Sequence, residues 1–174
     1  DVYKRQALAH KNVRNTIHIQ QGVYRVTAPA STKGALYVPS NTTVELEGNI
    51  LLEANDFPGC AVLYIRDAND VVVKGAGKII GDKNTHTGKQ GEWGMGIQII
   101  HGRNITICDL EISNCWGDCI YIGGMSSNVS ISNCNLHHAR RQGISVTYAN
   151  KVSINKCVIH DIAGTCLLYT SPSP

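Results

Sequence analysis

The chain has 174 residues, of which 43% are apolar, and this length fits one domain with a core of its own. Glycine is abundant at 17 residues and aromatic residues are few, a composition that favours strands and turns over a helical bundle. No apolar run approaches the ~20 residues that span a bilayer. The net charge of +3 is too small to indicate nucleic acid or an anionic membrane as a partner.

The two ends of the chain have the same unusual origin. Residues 1–6 can be encoded by a DNA string whose reverse complement, read in a shifted frame, encodes residues 166–171. Such agreement is typical of a sequencing adapter translated inward from both sides. We therefore expect residues 1–6 and 166–174 to be adapter-derived, and residues 7–165 to be a fragment of one domain, truncated at least at its carboxyl end.

A repeat organises the second half of the chain. Three stretches that begin at Asn104, Asn128 and Lys151 align without gaps, at offsets of 24 and 23 residues. A short strand pattern precedes each of them, at residues 96–99, 119–122 and 143–146, and earlier turns are less regular. Apolar and polar residues alternate with a period of two, which directs alternate side chains inward. The repeat predicts an all-β fold, namely a parallel β-helix. We expect it to be right-handed, because right-handed crossovers between parallel strands are strongly preferred.

The alternation also assigns the cysteines. Cys134 and Cys157 share one inward position with Leu110, so they are predicted to stack in the core. Cys115 and Cys119 flank a corner and could pair, but the second ligand pair that a zinc site needs is missing. We therefore predict no metal and no cofactor. The predicted inward residues of the repeat are Ile105, Ile107, Leu110, Val129, Ile131, Cys134, Val152, Ile154 and Cys157.

Three motifs carry a resemblance to a known family. They are the segments at residues 35–43, 70–81 (with a Gly-x-Gly-x-Ile turn) and 117–122 (Gly-Asp-Cys-Ile-Tyr-Ile). Together with the repeated strands, they resemble the pectin-lyase-like right-handed β-helix superfamily, and within it the polygalacturonase-related branch. The resemblance extends over residues 16–164. It implies a single-stranded right-handed parallel β-helix and activity on a polysaccharide.

The catalytic pattern of that branch is only partly present. The resemblance implies acids on three carboxylate positions, a His-Gly turn and an Arg-x-Lys turn, which together hydrolyse galacturonan with inversion. Here the segment Trp93-Gly94-Met95 lacks the expected acid, and Gln142 stands where the histidine would be. Asp118 is the one residue that matches a carboxylate position of the pattern. An inverting mechanism needs both an acid and a base, so we do not expect polygalacturonase activity as such.

Other polar residues of the same corner complete a candidate site. We expect Asp118 on the outer face as a catalytic carboxylate, with Glu92 or His138 as its proton-transfer partner. Because a surface carboxylate contributes little to folding, Asp118→Asn would then leave the melting temperature nearly unchanged. A tryptophan platform beside arginines suits an acidic sugar chain. The predicted substrate-binding residues are Trp116, Arg140, Arg141, Gln142, Tyr121, His137 and His160.

Two functions of different classes fit these residues. The first is a carbohydrate-active enzyme, a glycosidase or a lyase, that binds and cleaves an acidic polysaccharide along one face of the solenoid. The alternative is a non-catalytic β-helix of a phage tail spike or surface adhesin, which would form a homotrimer. Either function predicts an extracellular or cell-surface location. A further turn bearing Arg or Lys in a longer gene would favour the enzyme, and an adjoining tail-fibre module would favour the alternative.

Overall fold

A computed structural model describes residues 15–29 and 33–164 of the chain. Both predicted adapter-derived ends lie outside these residues. The described residues form short strands joined by turns, and none of their segments is a helix that could cross a membrane. In chain order the strands are β1 (Asn15–Ile19), β2 (Val23–Val26), β3 (Gly34–Tyr37), β4 (Thr42–Leu46), β5 (Asn49–Leu52), β6 (Ala61–Arg66), β7 (Asn69–Lys74), β8 (Lys78–Ile80), β9 (Ile97–Ile100), β10 (Arg103–Cys108), β11 (Glu111–Ser113), β12 (Ile120–Gly123), β13 (Ser126–Ser132), β14 (Asn135–His137), β15 (Ile144–Val146), β16 (Ala149–Asn155) and β17 (Val158–His160).

Every third strand belongs to the same sheet. Sheet A has the order β1-β4-β7-β10-β13-β16, sheet B has β2-β5-β8-β11-β14-β17, and sheet C has β3-β6-β9-β12-β15. All neighbouring strands are parallel. One turn of chain thus contributes one strand to each sheet, and about six turns stack on one another. The predicted parallel β-helix is confirmed.

The repeat fixes the register of these turns. In sheet A, Ile107 pairs with Ile131 and Ile131 pairs with Ile154, at the repeat offsets seen in the sequence. Ile107 and Ile131 are fully buried in one continuous apolar core, and so is Cys134 at 2% exposure. Burial also raises the pKa of the Cys134 thiol to about 11, as expected for a structural cysteine. The inward positions predicted for these two turns are confirmed.

The last described turn is more open. Its residues point inward like their partners in the preceding turn, but Ile154 is 44% exposed. Val152 and Cys157 are only partly buried against the core. No further turn covers them among the described residues. Each turn therefore depends on the next one for the burial of its apolar side chains.

Each repeated stretch contains a tight corner. Asp109, Asn133 and Lys156 adopt the left-handed conformation, with φ between 52° and 61°, and separate the sheet A strand from the sheet B strand. This conformation costs most residues about 1–2 kcal/mol, which explains the preference for Asn and Asp. What reads as one alternating stretch in the sequence is therefore two strands joined by a sharp bend.

A second row of left-handed residues runs along the start of the sheet A strands. Asp70, Asn104 and Asn128 occupy equivalent positions with φ between 54° and 58°. Their side chains form a ladder, in which Asn128 Nδ2 donates to Asn104 Oδ1 at 3.0 Å and Asn104 Nδ2 donates to Asp70 Oδ1 at 3.0 Å. The ladder links successive turns at a point where the backbone is bent.

We expect the conformation of Asn128 to contribute more to stability than its hydrogen bond does. Asn128→Ala removes the bond and places at positive φ a residue that tolerates this conformation less well than asparagine, so the free energy of unfolding should fall by about 1–3 kcal/mol. Asn128→Gly removes the same bond without the conformational cost and should lose about 1 kcal/mol or less. Urea denaturation of both variants measures the difference. Equal losses would contradict the conformational argument.

Candidate functional site

The candidate site lies at the corner between sheets B and C. The segments that cross this corner are residues 81–96, 114–119 and 138–143. Neighbouring parallel strands lie about 4.8 Å apart, so side chains on successive corner segments come within contact distance. Residues 81–96 form the longest of these segments and cover the two that follow.

Asp118 is the buried centre of this site. The structure exposes none of its surface, so its predicted place on an open outer face is wrong. Its Oδ1 accepts a hydrogen bond from the backbone N–H of Gln142 at 3.1 Å, whereas its Oδ2 is buried without a hydrogen-bond partner among the described residues. Burial raises the pKa of the Asp118 carboxyl, and the Ser145 hydroxyl and the Arg141 guanidinium oppose this effect. The carboxyl contacts Gln142 and Arg141 of the next turn, and the sequence pattern alone did not indicate that it is buried there.

Arg141 connects Asp118 to the solvent-exposed Glu92. Its Nε lies 3.6 Å from Asp118 Oδ1, and its Nη1 lies 3.5 Å from Glu92 Oε1. The Glu92 side chain is 48% exposed, while that of Asp118 is fully buried. The structure therefore brings together three predicted site residues, one of which is a buried acid and one an accessible carboxylate.

Trp116 is enclosed on both faces of its indole ring. His86 stacks on it with ring centroids 4.1 Å apart and an interplanar angle of 18°. The guanidinium carbon of Arg140 lies 3.9 Å from the ring centroid, and a second group this close requires the opposite face. Arg140 Nη1 also donates to Gly91 O at 2.8 Å. These two side chains pack against the ring in this structure, so a sugar could stack on Trp116 only after one of them moves.

A buried pair of side chains in residues 81–96 supports the stack. His86 Nδ1 lies 2.7 Å from Asp82 Oδ2, and both side chains are 1% exposed. Asn55 Nδ2 donates to the same Asp82 oxygen at 2.8 Å. Sequence reasoning noted the polar character of this segment but did not identify the pair. Its only sequence signal is an Asp and a His four residues apart.

The three predicted histidines form a separate cluster. His137 and His160 stack with ring centroids 4.9 Å apart, and His137 Nδ1 lies 2.6 Å from His138 Nδ1. Glu111 Oε1 lies 3.4 Å from His137 Nε2, and His160 lowers the pKa of the Asp161 carboxyl through a hydrogen bond. His138 thus contacts another imidazole, and no hydrogen bond or ion pair of the described residues joins it to Asp118.

The other two predicted binding residues have different surroundings. Gln142 approaches Asp118 through its backbone N–H, as described above. Tyr121 is half-buried in sheet C, where its hydroxyl accepts a hydrogen bond from Thr147 Oγ1 at 2.6 Å. Cys115 and Cys119 are buried free thiols. Within residues 15–29 and 33–164, no group of three His, Cys, Asp or Glu side chains is arranged to hold a metal ion.

Comparisons with known proteins identify the fold family. The family model described as a right handed beta helix region matches residues 12–173. The chain is 29% identical over 152 residues to the SPbeta prophage-derived protein YorA, and 27% identical over 176 residues to the protein YclG, both of Bacillus subtilis (strain 168). These alignments cover 75% and 87% of this chain but only 26% and 30% of the relatives. The chain therefore spans less than a third of the relatives' length.

One solved structure is similar over most of the chain. It is the crystal structure of a "putative glycosyl hydrolase" from Parabacteroides merdae ATCC 43184, with a TM-score of 0.56 and 12% identity. The similarity covers 83% of this chain and 80% of that one. At this low identity, the similarity shows a shared fold.

We predict that Asp118→Asn changes stability in a pH-dependent way. Because the folded pKa of Asp118 is raised, the unfolded chain ionises first, and the native protein loses stability as pH rises from the acidic range through that pKa. Asparagine can still accept the Gln142 N–H without burying a charge. The variant should therefore be more stable than the natural chain at neutral pH, and this advantage should grow as pH rises from the acidic range.

Urea denaturation at several pH values measures this difference. Asp161→Asn is the matched control, and its effect on stability should have the opposite sign. The pKa of Asp161 is lowered, so its charged form is favoured in the native state and its loss should destabilise the protein toward neutral pH. A stability difference for Asp118→Asn that decreases toward neutral pH would contradict the raised pKa.

Proposed function

The chain belongs to the right-handed β-helix family, and from this premise we propose that it binds a polysaccharide along the corner between sheets B and C and cleaves it. One observation supports this proposal most strongly. A buried carboxyl with a raised pKa, Asp118, is joined through one guanidinium to an exposed carboxylate, Glu92. Such a pair of carboxyl groups in different environments is typical of acid and base roles.

The two carboxyl groups suit hydrolysis with inversion. Asp118 would donate a proton to the oxygen of the scissile glycosidic bond, because its raised pKa favours the protonated form. Glu92 would remove a proton from a water molecule, whose oxygen forms the new bond to the anomeric carbon as the old bond breaks. In the unbound protein a single Arg141 side chain contacts both groups, so the two contacted oxygens lie within the roughly 9.5 Å upper limit for inverting glycosidases.

Arg141 also suits the binding of an acidic polymer. Its contacts with Asp118 and Glu92 are 3.6 and 3.5 Å long, so they are ion pairs rather than short hydrogen bonds. A uronate carboxylate could take their place with two short bonds to the planar guanidinium. We infer that this exchange moves the Arg141 side chain away and opens Asp118 to the polymer. An extracellular or cell-surface location, where such polymers occur, is part of the proposal.

A non-catalytic role is the second candidate. The full burial of Asp118 favours it, because a carboxyl that the polymer cannot reach would have no catalytic role. The prophage origin of the relative YorA agrees with a tail-spike or adhesin segment. In this case the corner would bind a polymer without cleaving it, and the chain would assemble as a homotrimer.

We predict that both carboxyl groups are required for cleavage. Incubation with polygalacturonate, alginate, hyaluronate, xylan and galactan, followed by assay of new reducing ends, tests the activity. Asp118→Asn and Glu92→Gln should each reduce the rate on the cleaved polymer by about 10²–10⁴-fold. Glu47→Gln, which replaces an exposed carboxylate outside the corner, should leave it unchanged.

The outcomes separate the candidate functions. Reducing ends without the ultraviolet absorbance of an unsaturated product indicate hydrolysis, and the appearance of that absorbance indicates a lyase. Polymer binding without cleavage would contradict the enzymatic role and support the adhesin. Full cleavage by Asp118→Asn would overturn the assignment of the acid.

A further inference from the structure

We propose that Trp93 forms the surface on which a sugar ring of the bound polymer stacks. This inference rests on the proposed function. The sequence contains two tryptophans, and Trp116 has no free face because His86 and Arg140 cover its ring. Trp93, by contrast, is 55% exposed. A large exposed aromatic ring is costly in water, and its apolar face matches the C–H face of a pyranose ring.

Trp93 is held in place by its backbone and its Cβ. Its N–H donates to Pro58 O at 3.1 Å, which ties it to the segment that joins β5 and β6. Gly59 lies beneath it so closely that a Cβ at residue 59 would stand only 2.9 Å from Trp93 Cβ. The base of the side chain therefore sits in a space that only glycine provides. A backbone anchored in this way loses little conformational freedom when a ligand binds.

The position of Trp93 connects it to the proposed acid and base. It directly follows Glu92, which pairs with Arg141. It directly precedes Gly94, whose carbonyl accepts a short hydrogen bond from Gly117 N–H at 2.6 Å, one residue before Asp118. The Trp93 backbone therefore lies beside the two segments that carry these carboxyl groups. This geometry assigns the ring to a sugar subsite next to the cleavage position.

Other exposed apolar side chains lack this connection. Tyr148 is 77% exposed and Met125 is 61% exposed, but both lie at the corner between sheets C and A. A hydrogen bond from Met125 N–H to Tyr148 O links their backbones on successive turns. Tyr148 is thus a matched control, an exposed aromatic ring on the same solenoid but away from the proposed site.

Binding measurements with variants test the subsite. The chain is applied to a printed array of polygalacturonate, alginate, hyaluronate, xylan and galactan, and affinity for each bound polymer is then titrated in solution. Trp93→Ala should weaken binding about tenfold, and Trp93→Phe should retain part of the affinity. Tyr148→Ala should bind like the natural chain. Gly59→Ala, which displaces the ring without removing it, should also weaken binding.

Fluorescence provides a second readout that does not depend on cleavage. In Trp116→Phe, Trp93 is the single tryptophan, and the polymer should shift its emission to shorter wavelength and protect it from quenching by acrylamide. In Trp93→Phe, the emission of Trp116 should not change when the polymer is added. Should Trp116→Phe fail to fold, the natural chain and Trp93→Phe are compared instead. The polymer-induced emission shift that is present in the natural chain and absent in Trp93→Phe then reports on Trp93.

The outcomes distinguish this inference from the proposed function. If the natural chain binds a polymer and Trp93→Ala binds it equally well, the stacking role is wrong and the proposed function stands. If the natural chain binds none of the five polymers, the proposed function itself is contradicted, and the subsite with it.

Discussion

The structure depends on the stacking of identical inward positions from one turn to the next. Each turn pairs its backbone with the turns on either side, and each inward side chain is buried by its counterparts above and below. Ile131 has such neighbours on both sides and is fully buried, whereas Ile154, in the same position one turn later, is 44% exposed. Stability is therefore shared between neighbouring turns rather than held within one.

This stacking restricts where the chain can vary in length. The corners between sheets A and B contain two or three residues, and those between sheets C and A contain two to four. Many of them need a left-handed residue, so an insertion there would break the ladder. The corner between sheets B and C has six to sixteen residues. Residues 81–96 lie at this longer corner, and they place His86 on the Trp116 ring and Glu92 beside Arg141.

The same constraint explains what sequence could predict. The fold and the core follow from a period, and the period is visible in the residues themselves, as in Ile105, Val129 and Val152. The stack of His137 on His160 was likewise predictable, because the two are equivalent residues on adjacent turns. The burial of Asp118 and the enclosure of Trp116 were not. The enclosure of Trp116 depends on His86, which lies in residues 81–96, a segment that occurs once and leaves no periodic signal.

The chemistry of Asp118 distinguishes a structural role from a functional one. A residue needed only to accept the Gln142 N–H could be asparagine, which accepts the same bond and buries no charge. Asp118 instead buries a carboxyl, and this burial raises its pKa. Such an arrangement costs stability near neutral pH and provides a proton donor in return. Because a group that lowers stability in this way is typical of functional sites, the corner between sheets B and C is where we expect the chemistry of this protein.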